Sequence, residues 1–261
     1  MKIGVFDSGL GGLIICKSLI SAFPKFDFAY LGDTANLPYG NKSEDKIYEC
    51  SVLCVDHLFR VLDAGLVIIA CNTASIVALR RLQREYLPQN FPDRRILGIA
   101  IPTLEYIADR GYRNIGLIAT NATVGSGTYE YELHRINPEI KLESKATPLL
   151  VPLIEDGGDK YAETILTDYL AGFHDKDALI LGCSHYPKYK DLIRKILPDV
   201  AVVSQDEIIP SSLADYLARH PEIEIDGRGD NFFGITDMTK NYAESAAKLF
   251  GSDLPIEKVV I

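Results

Sequence analysis

No stretch of this chain is apolar for long enough to cross a bilayer as a helix, so no membrane partner is expected. Basic residues are in the minority. Lys and Arg number 27 against 36 Asp and Glu, a formal net charge of −9, and no basic stripe offsets that balance. Nucleic acid is therefore excluded as an expected partner, although a local pocket can still hold a small anion. Cysteine is sparse and odd in number, at five residues. The amino terminus, Met1-Lys2-Ile3-Gly4-Val5-Phe6-Asp7, enters a strand at once, without the apolar stretch and cleavage site of a secretion signal. Free thiols in a reducing cytoplasm are expected, and a disulfide framework is not.

Two cofactor signatures are missing as well. Counted from Gly9, the sixth position of G-x-G-x-x-G is Ile14, and no ribose-binding acid follows the second strand in the usual context, so a dinucleotide site is not expected. Cys50, Cys54 and His57 recur at i, i+4 and i+7, but this matches no usual zinc spacing and has no fourth ligand nearby. They are expected to form a packing face with Leu53, Leu58 and Val61, and Cys16 to lie in the core. No metal is expected.

What is present is a regular alternation. Within 261 residues, apolar types make up 47% and charged types 24%, enough for a sizeable core. Apolar runs suggest strands over 2–6, 26–31, 66–70, 95–100, 114–119, 178–182, 200–204 and 231–235. Amphipathic stretches suggest helices over 11–22, 43–62, 73–86, 102–110, 122–134, 160–172, 189–196, 207–219 and 239–250. Strand followed by helix, repeated throughout without a low-complexity segment or Pro/Ser-rich linker, implies an α/β fold with mainly parallel sheets. A weak repeat runs through it at an offset of 112. This offset relates Ile3-Gly4-Val5 to Ile115-Gly116-Leu117, Ser8 to Thr120, Gly11-Gly12 to Thr123-Val124, and Cys71 to Cys183. Two similar doubly wound domains are expected, one from 1–97 plus 207–261 and one from 98–206, with a site in the cleft between them.

The two cysteines joined by that offset have similar settings. Ile68-Ile69-Ala70-Cys71-Asn72-Thr73-Ala74-Ser75 and Leu179-Ile180-Leu181-Gly182-Cys183-Ser184-His185-Tyr186-Pro187 each end a short apolar run and open onto polar residues. A free thiol titrates near about 8.5, so a neighbour must stabilise any thiolate. His185 is close enough to share a proton with Cys183. Asn72 and Thr73 can donate to a carboxylate beside Cys71, at the start of a helix. Two thiols on opposite faces of one stereocentre can remove a proton from one side and return one on the other, which is cofactor-free racemisation. The plainer alternative is a pair of core cysteines.

Other polar loops sort around these. Asp7-Ser8-Gly9-Leu10-Gly11-Gly12 offers a carboxylate, a hydroxyl and glycines that allow close approach, or simply a capped strand-to-helix turn. Asp33 and Thr34 lead to Pro38-Tyr39-Gly40, a loop able to close over a ligand or to form a surface turn. Thr120 and Thr123 open a helix as an anion site or as caps. Glu155 follows Val151-Pro152-Leu153-Ile154 and can orient His185 or a substrate amine, or lie on the surface.

Together, Ile3 to Gly12, Gly32-Asp33-Thr34, Pro38-Tyr39-Gly40, Ala70 to Ala74, Val151 to Glu155 and Leu181 to Pro187 resemble the glutamate racemase family, in the expected order and over most of the chain. Phe233 to Gly251 is similar to that family's final strand and helix. The resemblance implies two α/β domains around one site, a homodimer, no cofactor, and an isomerase supplying D-glutamate for peptidoglycan, cell-wall biogenesis and cell shape. It also implies that Cys71 serves the D-enantiomer with help from Asp7, and Cys183 the L-enantiomer with help from His185. By the same resemblance Ser8, Tyr39, Gly40, Asn72, Thr73, Ser184 and His185 line the substrate, and Asp33, Thr120, Thr123 and Glu155 support them. The chain departs from the family pattern in three places. Ser184 replaces the usual threonine, Lys188-Tyr189 an apolar pair, and Ser204-Gln205-Asp206-Glu207 lacks the usual aspartate-serine opening of its helix. Two other readings are kept: a racemase or decarboxylase of this fold acting on aspartate or a related acid, and a non-catalytic domain that binds an acidic amino acid.

Overall fold

The computed structural model describes residues 1–225 and 227–261, with the side chains of all but Lys240 and Asn241. Among the described residues, ten strands form two parallel sheets. The first contains β1 (Lys2–Asp7), β2 (Phe28–Gly32), β3 (Ala64–Ile69), β4 (Arg95–Gly98), β9 (Phe232–Ile235) and β10 (Ile256–Lys258), in the order β10-β9-β2-β1-β3-β4. The second contains β5 (Asn114–Ala119), β6 (Lys141–Ala146), β7 (Ala178–Gly182) and β8 (Ala201–Val203), in the order β6-β5-β7-β8. The chain leaves the first sheet after β4, completes the second, and returns through the helix Gln205–Arg219.

The central strands are apolar because helices cover both faces. Every residue of β2, β3 and β7 is buried, and each Leu, Ile or Val there contributes about 1.5–3 kcal/mol of transfer free energy. One core cluster joins the two sheets, with Ile3, Tyr30 and Ile68 of the first and Ile118, Leu179 and Leu181 of the second.

The offset of 112 is built into the strand register. Ile3 pairs with Leu66 and Ile115 with Ala178; Val5 pairs with Ile68 and Leu117 with Ile180. Both partners shift by the same 112 residues, so the β1–β3 and β5–β7 pairs are equivalent. Their carboxyl ends deliver Cys71 and Cys183.

Several expected elements are revised. β6 and β10 have no counterpart in the pattern reading. β6 is an edge strand, Lys-Leu-Glu-Ser-Lys-Ala, with no fully buried residue, and its lysines protect an open edge at the expense of the apolar signal. The strand expected over 95–100 stops at Gly98, because Ser75 Oγ accepts the Ile99 and Ala100 N–H groups at 3.1 and 3.4 Å and starts the helix Ala100–Asp109. The helix expected over 73–86 runs as Asn72–Val77, Leu79–Arg81 and a π turn at Leu82–Tyr86, ahead of Pro88, which has no N–H to continue the ladder. The helix expected over 122–134 breaks at Gly127, whose φ of 64° suits glycine. On the helix Glu44–Arg60, Cys50, Cys54 and Leu58 do face the core. Leu53 and Val61 instead reach solvent, at 52% and 65% exposure, because the apolar stripe runs through Ile47, Val55 and Phe59. Cys16 is fully buried, which pushes its thiol upward.

Candidate active site

The carboxyl ends of β1, β3, β5 and β7 converge where the two sheets meet, the usual place for a ligand in parallel α/β folds. Cys71 is 4% exposed and Cys183 5%. The two thiols are linked through their neighbours. Cys71 Sγ lies 3.2 Å from Ser8 Oγ. Asp7, the preceding residue, accepts the Ser184 hydroxyl at Oδ1 over 3.0 Å, and Ser184 adjoins Cys183. The other Asp7 oxygen accepts the Gly9 N–H at 3.0 Å. Asp7 therefore bridges the two sheets through Ser184 and acts on Cys71 through its charge rather than by direct contact.

The immediate surroundings of the thiols differ. Cys71 caps the helix Asn72–Val77, with its sulfur accepting the Ala74 N–H at 3.5 Å. Burial, followed by the charge of Asp7, pushes its thiol up to about 12; the Ser8 and Ala74 contacts pull weakly the other way, and the charge of Cys183 adds to the rise. Cys183 Sγ is instead 3.8 Å from His185 Nδ1, and His185 Nε2 is 2.8 Å from Glu155 Oε1. Burial opposes an imidazolium, but contact with Cys183 and Glu155 outweighs it and raises His185 well above its ordinary value. Glu155 is thus in direct contact with His185 rather than free on the surface.

His185 lies against the first sheet's glycine turn. A Cβ on Gly11 would fall 2.3 Å from His185 Nδ1, and one on Gly12 would fall 2.6 Å from Asp7 Cβ. Glycine is required here for close approach rather than for an unusual φ.

The threonines also join the sheets. Thr73 Oγ1 meets Thr120 Oγ1 at 3.0 Å and Thr123 Oγ1 at 3.1 Å, and Gly40 packs against Thr120. Asn72 is 2% exposed. Its Oδ1 accepts the Tyr129 hydroxyl at 2.6 Å and Gln205 Nε2 at 3.0 Å. Tyr39 and Asp33 pair with each other rather than with either thiol. The Tyr39 hydroxyl donates to Asp33 Oδ2 at 2.7 Å, and Asp33 Oδ1 accepts from Asn36 and Thr236 at 3.0 and 2.8 Å. Asp33 thus ties the end of β2 to the end of β9 and already accepts the Tyr39 hydroxyl.

Three buried residues here were not selected from sequence: Tyr30, whose hydroxyl donates to the Gly9 carbonyl at 2.7 Å, Tyr129 and Gln205. Gln205 lay within a motif noted as a departure; the tyrosines resembled ordinary core residues. A separate cavity of about 630 Å³ opens between Ser75, Arg80, Tyr106 and Tyr216, and none of the residues selected from sequence borders it.

Residues 17–208 match the family model described as Asp/Glu/Hydantoin racemase. The chain is 40% identical to a glutamate racemase of Roseobacter denitrificans over 266 residues, covering 95% of this chain and 96% of that protein. Its fold superposes on the crystal structure of glutamate racemase from Francisella tularensis in complex with D-glutamate with a TM-score of 0.89 at 32% identity, covering 99% of this chain and 97% of the other. The glutamate racemase from Thermus thermophilus, in complex with β-chloro-D-alanine, gives 0.86 at 35% identity, covering 100% and 97%.

Proposed function

The chain belongs to the Asp/Glu/Hydantoin racemase family, and within it to the glutamate racemases; from this we propose that Cys183 and Cys71 pass the α-proton of glutamate between them. The observation that supports this most strongly is the equivalence of the two thiols under the 112-residue register, together with the short path of contacts that links them through Ser8, Asp7 and Ser184.

With L-glutamate, the Cys183 proton passes to His185 across their contact, and Glu155 balances the imidazolium that forms. The Cys183 thiolate takes the α-proton: the C–H bond breaks, its electron pair moves into the carboxylate, and an S–H bond forms. Cys71, a thiol at rest because its pKa is pushed up to about 12, gives its proton to the opposite face, forming the new C–H bond. Starting from D-glutamate, the same steps run in reverse from the form that each L-to-D turnover leaves, with Cys71 the thiolate and Cys183 the thiol. Ser8, Asn72 and Thr73 supply donors for the charge building on the carboxylate, while the Ser184 hydroxyl holds Asp7, and the closed surroundings strengthen each of those interactions.

The enantiomers have equal free energy in water, so kcat/KM must be the same in both directions at every pH. The two sides of the site can differ only in their separate kcat and KM values and in isotope effects.

The same reading places the enzyme in the cytoplasm as a homodimer without a cofactor, supplying D-glutamate to peptidoglycan synthesis. The chain divides into functional halves at 1–97 plus 207–261 and 98–206. No helix among the described residues is long and apolar enough to cross a membrane.

The test is α-deuterium uptake by both enantiomers of glutamate and aspartate in D2O, read by NMR. Exchange with inversion on glutamate is expected. Faster exchange on aspartate would move the substrate assignment, and binding of glutamate without exchange would leave a binding domain.

A further inference from the structure

We propose that Gln205 is a positioning residue that fixes the side-chain amide of Asn72 with its N–H group turned toward the substrate carboxylate. The proposal rests on the functional reading above, in which Asn72 contacts substrate.

The geometry is that of a buried three-residue node. Gln205 is 0% exposed, and Asn72 and Tyr129 are each 2% exposed. Gln205 Nε2 donates to Asn72 Oδ1 at 3.0 Å, and Asn72 Nδ2 returns a longer contact to Gln205 Oε1 at 3.4 Å. The Tyr129 hydroxyl donates to the same Asn72 oxygen at 2.6 Å, and Gln205 Nε2 also approaches that hydroxyl at 3.5 Å. Tyr129 remains a donor, since burial, followed by the charge of Cys183, raises its pKa.

Two donors on one oxygen determine which way the amide faces. If Asn72 were flipped, its NH2 group would face the Gln205 NH2 group, and the bonds that Gln205 and Tyr129 donate to Oδ1 would both be lost, leaving the buried Tyr129 proton without this acceptor. Asn72 is therefore held with Oδ1 toward Gln205 and Tyr129, leaving its second N–H free for an anion. The node also connects three elements: the helix Asn72–Val77 after β3, the helix Thr128–Ile136 after β5, and the helix Gln205–Arg219 after β8. It lies beside Cys71 in the chain while its tyrosine senses Cys183. This gives a role to the departure at Ser204-Gln205.

Two substitutions separate positioning from general packing. Gln205→Met keeps the volume and removes both polar groups. Gln205→Glu keeps the shape but, when ionised, cannot donate to Asn72 Oδ1. It favours the flipped amide, which turns an oxygen toward the substrate carboxylate. Binding of D-glutamate is measured by calorimetry in a Cys71→Ala/Cys183→Ala background, so that no turnover intervenes; melting temperature and circular dichroism confirm folding. Gln205→Met should weaken binding about tenfold, and Gln205→Glu about thirtyfold at pH 8, with recovery to the Met level or better as the pH falls to about 6 and the new carboxyl protonates. In otherwise wild-type protein, KM for both enantiomers should rise while kcat stays within about threefold.

Unchanged Kd in both folded variants would overturn the proposal, as would a pH-independent Gln205→Glu defect equal to that of Gln205→Met. Failure of the functional reading would look different: wild-type protein would not exchange the α-proton, whatever residue stood at 205.

Discussion

The two thiols occupy equivalent positions on repeated strands, yet their neighbours give them different chemistry. Cys71 has a hydroxyl, a backbone N–H and a carboxylate that acts through space; burial, followed by that carboxylate, favours its protonated form. Cys183 has an imidazole at 3.8 Å, which is backed by Glu155 at 2.8 Å. Register determines where each sulfur is placed, whereas loop residues determine what each sulfur touches. A repeated fold can thus place two equivalent thiols in unlike surroundings.

The largest effect should come from removing either sulfur. Cys71→Ala and Cys183→Ala should each lower racemisation about 10³-fold, followed by circular dichroism of glutamate, since positioned proton transfer contributes 10²–10⁴-fold. Near-normal rates in one variant would break the comparison, because a single thiol would then serve both faces.

Next is Gly11→Ala, which strikes the Cys183 side alone. The new methyl would overlap the His185 ring, so kcat should fall about 10–100-fold while far-UV circular dichroism stays native, because small displacements of a catalytic group carry penalties of that size.

Glu155→Gln tests the same side more gently. Without the carboxylate, His185 should titrate nearer its ordinary value, and kcat should drop about tenfold, a barrier increase of roughly 1.4 kcal/mol. The sign for stability follows from linkage. A folded-state pKa raised above the unfolded value of about 6.5 stabilises fully below that pH, and the stabilisation is lost as pH rises through the folded value. The melting-temperature gap between wild type and Glu155→Gln should therefore be widest near about pH 6 and narrow as the pH rises. A gap that widened with pH would show that His185 is neutral in the native protein.

The smallest effect on rate should come from Asp33→Asn, since the Asp33 carboxylate contacts Tyr39, Asn36 and Thr236 and neither thiol. Replacing the acceptor of the Tyr39, Asn36 and Thr236 donors should lower stability by about 1–3 kcal/mol in chemical denaturation, with racemisation changed less than threefold.

Much of this was legible in the sequence. Buried parallel strands leave nearly unbroken apolar runs, so β1, β3, β5 and β7 stood out, as did the polar residues at their carboxyl ends. β6 and β10 did not, because a short or polar edge strand buries little. Asp33 and Tyr39 were marked as site residues, but the hydrogen bond Asp33 accepts from Thr236 depends on β9 pairing with β2 across some 200 residues of sequence. Tyr129 has no local polar signature; what distinguishes it is the residue it touches.

Taken by itself, the sequence determined the α/β alternation, the paired thiol loops and the 112-residue repeat, because strand burial and periodicity act over a few neighbouring residues. Only the tertiary structure decided that Asp7 reaches Ser184, that Gly11 makes room for His185, and that Gln205 and Tyr129 share one oxygen of Asn72. Those are contacts between segments far apart in the chain, and their existence depends on how two sheets close on each other rather than on any local pattern.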